Sequence, residues 1–241
     1  MLRTITTAYL CLTAGLLAAS ARAEMTVEEA EKVLVENFKT LRSYKAKVAS
    51  REAIDFGEGK TLRSEVSGTV EWVRKDGKLF YRSDADSSSV QTFNNMETPT
   101  HSKTTMIADG EFFYTLSEVM GQSQATKQMP HPSLVADPAS MLKSLREEHE
   151  IKLAPKDEMI EGAPCFVFEV RPKKPEDSQM VKMMIYFRKD IGLSIKTVGF
   201  DKSDAIVYTT RHSEIKNNIE INPDRFVFTL PDGVKLVDMT Q

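Results

Sequence analysis

The side chains that most often carry catalysis or bind metals are scattered in this sequence. None of the four histidines, His101, His131, His149 and His212, forms an H-x-H or H-E-x-x-H pair, so their spacing gives little support to a metal site. The densest polar run, residues 147–150, lies near the end of a predicted helix, where a solvated charged face is the commoner explanation. We therefore predict no bound metal and no other cofactor.

A serine motif and the carboxylates also fail to indicate an enzyme. Residues 121–125, Gly-Gln-Ser-Gln-Ala, partly match a nucleophile elbow, in which a strand-to-helix turn exposes the serine. Pro130 follows too closely for the required helix to begin there. Acidic residues occur throughout, and no spacing singles out a pair for acid–base work. We expect no catalytic activity.

One charged residue falls on an apolar strand face. Arg74 has the same parity as Val66, Val70 and Trp72 in a run that alternates with period two. A buried, unpaired charge is costly, so the guanidinium needs acceptors such as a carboxylate or the free carbonyls at a helix end. The alternative is that the strand ends before Arg74 and the side chain reaches water.

Adaptable apolar side chains are plentiful. The chain has 12 methionines and 12 phenylalanines, and methionine recurs on surfaces that bind varied apolar partners. Simple packing of a core is the alternative, and composition alone favours it.

The N-terminal 23 residues have the form of a cleavable signal peptide. Arg3 precedes an apolar stretch over residues 8–19, which is too short to span a membrane, and Ala21-Arg22-Ala23 suits cleavage after Ala23. Cys11 follows a leucine rather than a small residue, so a lipoprotein signal is not expected. We predict a soluble protein exported to the periplasm, with residues 24–241 forming a single domain.

Charge and cysteine content narrow the possible partners. The full sequence has 32 basic and 35 acidic residues, and cleavage of the signal peptide would remove two of the basic ones, Arg3 and Arg22. Because the net charge is negative, we expect no general attraction for nucleic acid. Cys165 is the one cysteine outside the signal peptide, which leaves no intrachain disulfide.

The elements that would position these residues are mainly strands. Thr26 and Glu29 form a capping box before one helix, and Asp137-Pro138 has the form of a start for a second. Residues 57–59 and Asp76-Gly77 indicate hairpin turns. We predict about nine to eleven strands with two or three helices. Because the helices do not alternate with the strands, an antiparallel sheet is expected.

Three further segments complete this prediction. Residues 84–104, which are rich in Ser, Asn and Thr, are predicted to form a mobile loop, and residues 118–133 a second loop. Residues 226–230, in which Phe226, Phe228 and Leu230 alternate with Val227 and Thr229, are predicted to form a half-buried closing strand before a turn at Pro231-Asp232-Gly233.

Three short motifs, taken in order, resemble the LolA-type periplasmic carriers that sort outer-membrane lipoproteins. They are the glycine-to-arginine strand at residues 68–74, the Asp109-Gly110 turn before an aromatic strand, and residues 226–234, which match F-x-F-x-x-P-x-G-V. The resemblance implies a half-open antiparallel β-barrel with helices as a lid over an apolar cavity. The family usually has proline after its arginine, where this chain has Lys75.

The resemblance also implies a function and residue roles. The protein would be a monomer that carries acylated lipoproteins or lipids from an inner-membrane lipoprotein-releasing complex to an outer-membrane acceptor. Arg74 would latch the lid by bonding to helix backbone. Candidates for the cavity wall are Val48, Val66, Val70, Trp72, Phe80, Phe112, Phe168, Met184, Phe226 and Phe228. The apolar face of the lid helices would comprise Leu34, Phe38, Met141, Leu142 and Leu145.

The sequence is compatible with other functions as well. A periplasmic sensor of lipid or stress could use the same half-barrel, although such regulators carry a second domain. A carrier of phospholipids or glycolipids has no sequence feature that separates it from a lipoprotein carrier. The sequence shows no motif of an exported enzyme, and it has no lipobox that would indicate an anchored acceptor.

Overall fold

The computed structural model describes residues 25–130, 134–135 and 137–240, so the predicted signal peptide and His131 lie outside the described residues. The described part contains one sheet of thirteen strands, more than the nine to eleven predicted. The strands are β1 (Ser43–Gly57), β2 (Lys60–Lys75), β3 (Lys78–Phe93), β4 (Met96–Asp109), β5 (Phe113–Val119), β6 (Gln122–Gln128), β7 (His149–Leu153), β8 (Glu158–Ile160), β9 (Ala163–Pro172), β10 (Lys182–Arg188), β11 (Leu193–Phe200), β12 (Ile206–Asn217) and β13 (Leu236–Asp238).

The sheet is a curved, unclosed meander. Its strand order is β13-β6-β5-β4-β3-β2-β1-β12-β11-β10-β9-β7, with β8 paired to β9. Every pairing is antiparallel except that of β13, which adds to β6 in parallel. The predicted half-open antiparallel barrel with helices is therefore confirmed.

Two helices cover one end of the sheet. α1 (Val27–Thr40) begins with the predicted capping box, in which the Thr26 hydroxyl accepts from the Glu29 N–H and the Glu29 carboxylate accepts from the Thr26 N–H. α2 (Pro138–Glu148) begins at the predicted Asp137 cap. Apolar side chains of both helices pack on phenylalanines of β9 and β10. Within the described residues, neither helix has the length and hydropathy needed to cross a bilayer.

The loop predicted over residues 84–104 is wrong, because this segment forms parts of β3 and β4. The two strands pair from Phe80↔Asp109 to Phe93↔Met96, and Asn94 and Asn95, both at positive φ, make the turn. The outer halves of these strands are partly exposed on both faces, so Ser and Thr replace the apolar alternation expected of a half-buried strand.

Much of the second predicted loop is also a hairpin. Residues 118–128 belong to β5, β6 and the turn between them, where Met120 and Gly121 take positive φ. The polar sequence of β6 hid this strand, since only its alanine, Ala125, is buried.

The predicted closing strand at residues 226–230 is wrong as well. Residues 223–226 form a short 3-10 helix, and residues 227–230 have no regular structure. The alternating phenylalanines instead contact side chains on the sheet: the ring of Phe226 lies 6.0 Å from that of Phe80, and Phe228 stacks on Tyr114 at 4.6 Å. The segment thus crosses the sheet before β13 joins the edge.

The register separates two faces of the sheet. The inner face is the one that α1 covers: Trp72, which lies opposite Tyr44 and Tyr81 on the neighbouring strands, contacts Phe38 of α1 at 6.5 Å between ring centroids. The outer face carries the intervening residues, including Phe80 and Tyr114. Gly68 lets β2 and β3 approach closely, since a Cβ there would overlap the carbonyl oxygen of Asp84.

Candidate functional site

A cavity of about 380 Å³ lies against the inner face, beside the segment that leads into α2. This volume falls in the range of roughly 300–1,000 Å³ typical of small-molecule sites. Apolar and aromatic side chains make up most of the wall, namely Tyr44, Val48, Val66, Val70, Trp72, Tyr81, Met106, Leu134, Val135 and Leu193. The strand meander positions these residues, because alternate residues of adjacent strands meet on one face.

Four of the ten predicted cavity residues line this cavity: Val48, Val66, Val70 and Trp72. They come from the two strands whose alternation is clearest in the sequence. Trp72 is 2% exposed and lies between Phe38 of the helix and Tyr44 of the neighbouring strand.

The other six candidates lie elsewhere. Phe168 is in the core beneath the helices, 5.3 Å from the ring of Phe187. Met184 lies opposite Val198 in a different part of the core. The remaining four are on the outer face with the C-terminal segment: Phe80, Phe112, Phe226 and Phe228.

The lid-helix residues all pack on the sheet. Leu34, Phe38 and Leu142 are buried, and Met141 and Leu145 pack at the margin of the same cores. α1 comes so close to the β10–β11 turn that a Cβ on Gly192 would overlap the Leu34 carbonyl. The helices therefore rest directly on the sheet end that borders the cavity.

Arg74 joins the sheet to the end of α1. Its Nη1 donates to the carbonyl oxygens of Phe38 and Leu41 at 3.4 and 3.5 Å, at the carboxyl end of the helix. The Phe38 carbonyl also accepts from the Leu41 N–H. The guanidinium carbon lies 4.2 Å from the centroid of the Phe38 ring. Burial lowers the pKa of Arg74, and Asp137 at the start of α2 opposes that shift. One side chain thus touches the end of one helix and is electrostatically coupled to the start of the other.

The cavity wall also carries a polar pair that sequence reasoning missed. Tyr44 Oη and His212 Nδ1 are 2.7 Å apart. Burial lowers the pKa of His212 and raises that of Tyr44 above its usual range, so both side chains are neutral near neutral pH. Tyr44 has the same parity as Val48, which indicated that its side chain lies on the same face of the strand. Nothing near His212 in the sequence indicates that it pairs with Tyr44.

A second cavity, of about 460 Å³, lies on the outer face. The C-terminal segment forms one side through Ile219, Ile221 and Phe226, and Val73 and Phe80 form the other. Two residues that were predicted for the cavity wall and do not line the first cavity, Phe80 and Phe226, line this one.

Next to this second cavity, a charged cluster fixes the C-terminal segment. Arg225 Nη2 donates to Glu71 at 2.7 Å and to Asp84 at 3.3 Å, and Arg82 binds Asp84 through both Nε and Nη2. Glu71 is among the most buried side chains, so its pairing with Arg225 offsets the cost of burying a carboxylate.

The described residues contain no group of three or more His, Cys, Asp or Glu side chains arranged to hold a metal ion. Cys165 is free and fully buried, and burial raises the pKa of its thiol to about 11, so it is a poor nucleophile.

Comparison with known proteins gives structural likenesses only. No protein-family model matches the chain, and no curated protein does. The MucA/MucB complex of Pseudomonas aeruginosa superposes with a TM-score of 0.44 at 14% identity, over 83% of this chain and 61% of that one. This chain therefore spans about three fifths of the MucB structures it matches.

Two other solved structures match nearly whole. An uncharacterized conserved protein from Thermus thermophilus has a TM-score of 0.47 at 10% identity, over 88% of this chain and 98% of that one. A LolA superfamily protein from Nitrosomonas europaea has a TM-score of 0.27 at 10% identity, over 84% and 98%. At these values the likenesses do not bear on function, which must be inferred from the site.

Proposed function

We propose that this protein is a non-enzymatic carrier that shields an acyl chain of a lipoprotein or another lipid in the inner-face cavity. The observation that carries the proposal is the cavity itself, an apolar space of about 380 Å³ between a curved sheet and a helical cover. Such a site removes apolar surface from water without any reacting group.

The cavity size sets the scale of binding. Burying about ten methylenes contributes roughly 8 kcal/mol, and association costs of about 4–15 kcal/mol oppose this gain. These two terms leave at most about 4 kcal/mol, which corresponds to millimolar affinity or weaker and suits a carrier that must release its cargo.

The cavity volume also limits which cargo fits. The space is that of one small ligand, so a lipoprotein with three acyl chains would require the helices to move away from the sheet. Arg74 is placed to control that movement, because its guanidinium contacts the last turn of α1.

The proposed route is through the periplasm, from an inner-membrane lipoprotein-releasing complex to an outer-membrane acceptor. The sequence motifs and the predicted signal peptide support this route. A sensor of periplasmic lipid would use the same cavity, but lipid binding would then alter its contact with a partner protein instead of delivering the lipid to a membrane.

Native mass spectrometry of protein purified from membrane-containing lysate tests the proposal. Bound lipid is expected on the wild-type protein and on Val90→Phe, which lies on β3 away from the cavity. Val70→Phe should lose the lipid, because the larger side chain fills the space. Bare wild-type protein that also fails to bind a fluorescent acyl probe would contradict the carrier function.

A further inference from the structure

The inner-face cavity is apolar except for a few groups, and one pair among them is held rigidly. The Tyr44 ring is 1% exposed and stacks on Trp72, with centroids 5.9 Å apart and planes at 22°. Its hydroxyl lies 2.7 Å from Nδ1 of His212, which projects from the neighbouring strand opposite Val48. Both side chains therefore have fixed positions in the wall.

Within the described residues, the second ring nitrogen of His212, Nε2, is left without a protein partner. Among the described residues, no buried side-chain nitrogen or oxygen lacks a hydrogen-bond partner, and the bond of His212 is made through Nδ1. Nε2 is therefore not sealed off from solvent. His212 is one of the residues that line the cavity. A ligand head in the cavity can use this nitrogen.

The pair offers hydrogen bonds but no charge. Burial keeps His212 neutral near neutral pH by lowering its pKa. Burial also raises the pKa of Tyr44, and Arg188 and Glu161 add smaller shifts in opposite directions. Of the described residues that line the cavity, Asp84 alone is charged, and its carboxylate belongs to the cluster beside the outer-face cavity, where it accepts hydrogen bonds from Arg82, Thr105 and Arg225. An ionised head would therefore lose its hydration without meeting a free counter-charge.

We infer that the cavity selects single-chain lipids whose head is uncharged and carries a hydroxyl, such as monoacylglycerols, and that His212 and Tyr44 bind this head. A hydroxyl both donates and accepts, which matches a neutral imidazole paired with a phenol. A carboxylate accepts only. This inference rests on the proposed function, because it assumes that an acyl chain occupies the cavity.

The test is competition between two lipids that share one acyl chain, 1-lauroylglycerol and laurate, for a bound fluorescent acyl probe. At about pH 8, above the usual histidine pKa of about 6.5, the glycerol ester should bind about tenfold more tightly, the size of one hydrogen bond. His212→Phe and Tyr44→Phe should remove this preference and still bind the chain.

Two further variants separate recognition from folding. Ser83→Ala removes another hydroxyl of the wall and should keep the preference. His212→Gln keeps a neutral donor and acceptor and should retain part of it, and thermal unfolding checks that each variant is folded. Equal affinity for both lipids, or a preference that survives His212→Phe, would overturn the inference and leave acyl binding intact. Failure of every acyl lipid to bind would overturn the proposed function too.

Discussion

Replacing Arg74 with leucine should loosen α1 without unfolding the sheet. The change removes two long hydrogen bonds, at 3.4 and 3.5 Å, to the carbonyls of Phe38 and Leu41. It also removes a cation that lies 4.2 Å from the Phe38 ring and close to the negative end of the helix.

The magnitude can be worked out from these contacts. Each hydrogen bond is at the weak end of its class, so the pair contributes about 1 kcal/mol. The helix-end charge and the ring contact each add about 0.5 kcal/mol. Leucine restores some apolar packing, which leaves a net loss of roughly 1–2 kcal/mol, or about a 5- to 30-fold rise in the open population of the helix.

Hydrogen exchange by residue measures this shift. In Arg74→Leu, amides of α1 (Val27–Thr40) should exchange about 5- to 30-fold faster, while those of β2 and β3 stay protected. A bound acyl probe should leave faster by a similar factor. Arg63→Leu, an exposed position on the same strand, is the control and should change neither. Unchanged exchange in α1, or equal loss of protection across the sheet, would refute the latch.

Three other changes are expected from particular contacts. Gly192→Ala should destabilise by more than about 2 kcal/mol, because positive φ costs about 1 kcal/mol and the new Cβ meets the backbone of α1. Gly233 also has a positive φ, but a Cβ there would meet open space. Thermal unfolding of Gly233→Ala should therefore show only the backbone cost. Equal losses of stability in the two variants would count against close packing of α1 on the turn. Arg225→Met leaves Glu71 buried without its nearest cation, and a loss of about 1–3 kcal/mol in urea unfolding should shrink when Glu71→Gln is added. The pKa of His212 is lower in the folded than in the unfolded protein, so the unfolded chain takes up a proton first as the pH falls. The free energy of unfolding should therefore decrease below about pH 6.5. His212→Gln should weaken this pH dependence of the free energy of unfolding.

Much of the fold is encoded in local sequence signals, and the rest depends on contacts that have none. The capping box before α1, the Asp137 cap and the glycine turns at 57–59 and 77 each act within a few residues, so the helices and first hairpins were predictable. The outer halves of β3 and β4 were missed because water borders both of their faces, where Ser and Thr serve as well as apolar residues. Their Asn94-Asn95 turn was the available signal.

The site was only partly predictable for a similar reason. Period-two alternation placed Val66, Val70 and Trp72 on one apolar face, and the resemblance to the LolA-type carriers made that face the expected cavity wall. It does not reveal which residues cover the face: Phe226 and Phe228 alternate just as clearly, yet they pack against side chains on the outer face. Pairing between distant strands, as of Tyr44 with His212, emerges only once the sheet order is known.

Fluorescence of Trp72 tests the central claim most directly. It is the only tryptophan in the sequence, and it lines the inner-face cavity but not the outer-face one. A lipid brominated along its acyl chain should quench this fluorescence saturably, and Val70→Phe should abolish the effect. Binding of the brominated lipid without quenching of Trp72 would contradict the claim that this cavity holds the acyl chain.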